Sequence, residues 1–172
     1  RITLVDTKAL LDHSSSMDDC IFGSSCTEAN RSSYALPLDI MALGFAKLGA
    51  ERFSDEFNEA SRRLRNAQAS APFMVAGSDR LDTQLLEAGQ GRLQVKMGAE
   101  GVYLGAIADR EIGFALKCED GSLRGQEALV VELLRAIGED DLVNRLPKAS
   151  SQPVIETARG EAVGQISVRC GC

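Results

Sequence analysis

The chain has one histidine, no tryptophan, two tyrosines and four prolines in 172 residues. With His13 alone, a Ser-His-Asp or Cys-His hydrolase is disfavoured, because those sites need a histidine base held by a further group. The lysine-based alternative, Ser-x-x-Lys at a helix start, is missing too: no serine is followed by lysine three residues later. A basic excess is also lacking. The net charge is −6 and the only local cluster is Arg62, Arg63 and Arg65, so no nucleic acid or anionic membrane is expected as partner. No apolar run approaches the roughly 20 residues of a membrane span, and the first residues do not resemble a signal peptide. The expected compartment is therefore cytoplasmic. Five cysteines, an odd number without regular spacing, argue against a secreted disulfide framework.

What is present suits one domain: 44% hydrophobic residues are enough for a sizeable core. Residues 1–172 read as a single domain. It is expected to be incomplete, since the chain starts at Arg1 and runs straight into an apolar segment. Residues 1–12 read as a short strand or a helix end. Residues 13–33, rich in Ser, Asp, Asn and Gly, read as a long polar loop. Pro37 opens a helix whose face carries Leu38, Met41, Ala42, Phe45 and Leu48, and Gly49 stops it. Ser54 caps a second helix, with Phe57, Ala60, Leu64 and Ala67 at helical spacing. A buried segment, 73–77, and a brief helix through Leu86 follow.

Three strand candidates come next, at 92–97, 101–108 and 112–118, punctuated by Gly98, Gly101, Asp109 and Gly121. The clearest helix spans about 123–137. A short helix at 140–146 ends on Pro147, and the tail holds a strand candidate at 163–169. Helices, a meander of strands and a covering helix define an α+β fold with an antiparallel sheet flanked by helices.

Lys96 ends the first of those strands, and Gly98 two residues later leaves room beside the backbone. A lysine in a partly dry cleft can move a proton or hold that of a nucleophile. Its bland reading is a strand-end lysine in solvent, with Glu100 as a weak ion-pair partner. Cys20 and Cys26, six residues apart, suit metal thiolates or free loop thiols alike. Cys118 reads as a small core residue, and Cys170 and Cys172 as part of a frayed end. Arg80 and Asp82 follow a tight turn at a helix start. There an arginine can clasp a carboxylate through two nitrogens or simply belong to a capping and ion-pair cluster.

Several ordered blocks resemble the L-asparaginase II family of the Rhizobium type, whose fold is similar to serine β-lactamases and glutaminases. They are Tyr34-Ala-Leu-Pro-Leu38, Ala71-Pro-Phe-Met-Val-Ala-Gly77 with Arg80 and Asp82-Thr83, Gly91 through Tyr103, Ala115 through Gly121, and the tail around Gln152 and Arg159. The most specific is Lys96-Met-Gly-Ala-Glu-Gly101. The resemblance implies a β-lactamase-like fold and hydrolysis of L-asparagine to aspartate and ammonia by a Ser/Lys mechanism. Lys96 would be the second catalytic lysine, Arg80 would hold the substrate carboxylate, and Gly98 would clear space for the substrate. It also implies zinc, with Cys26, or else Cys20, as one ligand. The family's Ser-x-x-Lys pair, second serine and other zinc ligands have no counterpart in this sequence. The isolated chain is thus expected to be inactive and to form a homodimer or aggregate. The other reading is a non-catalytic family member acting as an interaction module.

Overall fold

The structure, a computed structural model, describes residues 2–6, 23–26 and 32–168, with side chains from Leu36 onward. Its centre is a four-stranded antiparallel sheet. The strands are β1 (Ile2–Asp6), β4 (Leu93–Met97), β5 (Val102–Ile107) and β6 (Ile112–Lys117), in the order β1-β6-β5-β4. Strands β2 (Gly23–Cys26) and β3 (Ser32–Ala35) pair with each other, so the loop expected over 13–33 contains a hairpin strand. The helices are α1 (Leu38–Gly49), α2 (Asp55–Ser70), α3 (Phe73–Ala76), α4 (Leu81–Gly89), α5 (Leu123–Ala136), α6 (Asp140–Val143) and α7 (Lys148–Ser151). A final hairpin joins β7 (Val154–Glu156) to β8 (Ala162–Gln165). This is the α+β architecture expected, with the antiparallel meander in the places that its glycines mark.

The two faces of the sheet are built differently. Side chains alternate along a strand, so Leu93, Val95, Tyr103, Ile107, Phe114 and Leu116 share one face. They pack with α4, α5 and α6 into the main core. Phe114 lies across Gly105, its cross-strand partner, where a Cβ would stand 2.3 Å from the ring. On the other face, small residues let α1 come close: Ala42 and Ala46 pack against Ala115. A Cβ on Gly113 would lie 2.2 Å from the Ala42 carbonyl oxygen.

That close approach changes the expected role of α1. Its small residues meet the sheet, while Met41, Phe45 and Leu48 line an open groove with Ile40, Phe53 and Leu104. In α2 the apolar stripe faces outward: Phe57 is 65% and Leu64 49% exposed, and the one buried residue is Ser61. The Ser61 hydroxyl donates to the Leu48 carbonyl at 2.8 Å, which anchors α2 to the end of α1. Arg62 and Arg65 both reach Glu51 at 2.9 Å. The segment expected to be buried at 73–77 is a short turn in which Phe73 and Met74 are exposed while Val75 packs against the core. Cys118 is half-buried rather than part of the core, and its thiol meets Asp120 Oδ1 at 3.0 Å. No helix among the described residues is long and apolar enough to cross a membrane.

Two outcomes follow. Overpacking costs about 1–3 kcal/mol where side chains can shift. The obstacle at Gly113 is backbone, so Gly113→Ala is expected to lose about 3 kcal/mol, read from the denaturant midpoint. An unchanged midpoint would contradict the packing of α1. Secondly, the exposed Phe57, Leu64 and Met74 should drive the isolated chain to self-associate. Light scattering should show less association for Phe57→Ser with Met74→Ser, and equal scattering would rule out this surface.

Candidate functional site

The polar groups singled out in the sequence meet at the C-terminal end of edge strand β4. Gly77 at φ +89° and Asp79 at φ +55° reverse the chain after α3. Thr83 locks that turn by donating its hydroxyl to the Gly77 carbonyl at 2.8 Å. Arg80 is left extended immediately before α4, and Asp82 falls in the helix's first turn, where the dipole favours a negative charge. The face of α4 that carries Leu81, Leu85 and Leu86 is pressed into the core, and this draws Asp82 in with it.

Asp82 is 1% exposed, and its Oδ2 accepts the outward-facing N–H of Met97 at 3.0 Å. An edge strand leaves alternate backbone groups unpaired, and this carboxylate caps one of them. Lys96 is half-exposed on the opposite face of β4. Its amine folds back over the strand edge to donate to the Met97 carbonyl at 2.8 Å, 3.8 Å from Asp82 Oδ2. The carboxylate that Lys96 meets is thus Asp82, not Glu100. Lys96 pairs across the sheet with Leu104, which forms part of the wall of the apolar groove along α1, about 240 Å³ in volume.

Arg80, half-buried, donates to the Met97 thioether sulfur. Its guanidinium is held by a soft acceptor, while Glu127 on α5 feels it through space. Burial lifts the Glu127 carboxyl above its usual range; Arg80 opposes that and the Asp82 charge adds to it. Gly98 allows a close approach of neighbouring backbone. Its N–H closes the β4–β5 turn on the Val102 carbonyl at 2.7 Å, and a Cβ would stand 3.3 Å from that of Val102. The space it leaves is used by its own hairpin.

Tyr103 and Glu127 were missed in the sequence. Tyr103 sits on β5 opposite Met97 and is wholly buried. Its hydroxyl and Asp82 Oδ1 both lack an aligned hydrogen-bond partner. The two are still close enough to act on each other. Burial raises the phenol well above its ordinary value, and the charge and accepting oxygen of Asp82 raise it further. The usable signal was position: Glu127 stands on the stripe that continues through Val130, Val131 and Leu134, all buried.

Cys26 lies on β2 opposite Ser32, but its side chain is outside what the structure describes, as are His13, Cys20, Cys170 and Cys172. Among the described residues no three His, Cys, Asp or Glu side chains come together in a group that could hold a metal ion. The zinc expectation rests on Cys26 or Cys20, whose side chains lie outside the described residues.

The described residues form an α+β domain in which a lysine, an arginine and a buried carboxylate all contact Met97 at one strand edge. The sequence model of the L-asparaginase II family matches residues 14–168. The chain belongs to the L-asparaginase II family. No curated protein matches it.

Tyr103 offers a direct check on the site. Its raised value means that its contribution to stability is whole below pH about 10 and is lost above it. With no tryptophan and only Tyr34 besides, the Tyr34→Phe chain leaves one reporter. Its phenolate absorbance should stay absent through pH 10 and appear only as the fold melts in alkali. A reversible titration near 10 in folded protein would show the phenol to be solvated.

Proposed function

We propose that this chain belongs to an amidohydrolase that splits L-asparagine into L-aspartate and ammonia. Family membership supports the substrate class. The observation that carries the reading is the Lys96 amine, held at the edge of β4 by the Met97 carbonyl and Asp82. A serine hydroxyl attacks the side-chain amide carbon and forms an ester, ammonia leaves, and water then cleaves the ester to release aspartate. Lys96 holds the attacking hydroxyl and handles its proton. Arg80, held among the described residues by a thioether, is suited to exchange that contact for the two oxygens of the substrate's α-carboxylate. The serine and its own lysine are supplied by sequence that these 172 residues do not contain.

A second reading, a non-catalytic member that serves as an interaction module, draws on the exposed Phe57, Leu64 and Met74. One experiment separates the two. The 172-residue chain should release no ammonia from asparagine. The same chain extended through its upstream reading frame should release it, and Lys96→Ala in that longer protein should lower kcat by about 10²–10⁴-fold. Activity of the short chain, or an extended protein indifferent to Lys96→Ala, would refute the proposal. An extended protein inactive on asparagine would favour the interaction module.

A further inference from the structure

Asp82 is costly where it stands, because a buried carboxylate loses its hydration and must recover it from partners. The helix start and the Met97 N–H account for one oxygen. The other, Oδ1, has no aligned donor, although the Tyr103 hydroxyl interacts with this carboxylate. A strand-edge cap alone needs one neutral acceptor, which asparagine would provide without a buried charge. The use of a full charge points to a cation, and the one at hand is Lys96, whose side chain is 52% exposed yet bends back to 3.8 Å from Oδ2.

We infer that Asp82 is the positioning residue for Lys96: a buried charge at the start of α4 that draws the amine over the β4 edge and fixes where its remaining N–H groups point. The inference deepens the proposed function and rests on the reading in which Lys96 handles the proton. Asp82 itself touches no reacting atom. Glu127 on α5 feels both the Asp82 charge and Arg80 through space, and Lys96 is the cation that pairs with Asp82. Tyr103, wholly buried, interacts with the same carboxylate from the core side.

The test reads the Lys96 amine in the chain without any substrate. Brief acylation with an acetyl N-hydroxysuccinimide ester, followed by peptide mass spectrometry, compares Lys96 with the other four lysines. Asp82→Asn keeps an acceptor for the Met97 N–H and removes the charge. Lys96 should then react about threefold faster relative to Lys148, the size expected of a partly exposed ion pair, and Asp82→Glu should restore most of the original rate. Unchanged Lys96 reactivity in a folded Asp82→Asn chain would overturn the inference. Should that variant fail to fold, Lys96→Met answers instead. It leaves the Asp82 charge buried without its cation and should melt below Lys148→Met, whereas equal melting would again overturn it. Neither measurement needs activity, so an enzyme that fails to cleave asparagine sinks only the proposed function, and a decoupled pair sinks only this inference.

Discussion

Asp82 takes a carboxylate out of water at the first turn of α4 and spends one oxygen on the outward N–H of Met97. That contact ties a helix to the free edge of a sheet, and the geometry of the site follows from it. Lys96 and Met97 are consecutive, so their side chains point to opposite faces of β4. Asp82, placed at the edge between those faces, stands 3.8 Å from the lysine amine that bends around it. Arg80 reaches the same point because it stands two residues before Asp82, immediately ahead of the helix. The lysine and the arginine thus both bond to Met97, one through its carbonyl and the other through its sulfur.

The sheet beneath them owes its shape to what its faces omit. Phe114 needs Gly105 as its floor, and α1 needs Gly113 to come within backbone contact. One face carries large side chains and gains most of the apolar burial. The other carries Gly and Ala, so the large residues of α1 remain at the sides and form the groove that has Leu104 in its wall. The lysine's face therefore borders an apolar trough, while the face behind Asp82 is a dry core. An ion pair at such a boundary is neither fully solvated nor fully buried, a setting in which a lysine can exchange partners.

Much of this was legible in the residues. The strands at 93–97, 102–107 and 112–117 followed from apolar runs broken by Gly98, Gly101 and an acidic turn, and the helix after Ser122 from its apolar period. These signals are local, and the structure kept them. The outward stripe of α2 was not legible: a helical period shows that a face is apolar, not that a neighbour covers it. Ser61, a polar residue, is the one that is buried there, because Leu48 offers a carbonyl. Of the candidate site, Lys96, Arg80 and Asp82 were singled out in the sequence, whereas Tyr103 and Glu127 were not.

By itself the sequence determined the family, the antiparallel meander, and the lysine and arginine that the site presents, since these rest on residue types at fixed short spacing. It also determined that no Ser-x-x-Lys pair occurs within the chain. Only the tertiary structure decided the partners. Asp82 and Lys96 are fourteen positions apart, Tyr103 is seven beyond the lysine, and Glu127 is on a later helix, so no periodicity links them. Pressing α4 against the edge of β4 brings them together, because burying Leu81, Leu85 and Leu86 carries the neighbouring carboxylate into the core. There a charge can be kept only by finding a donor and a cation.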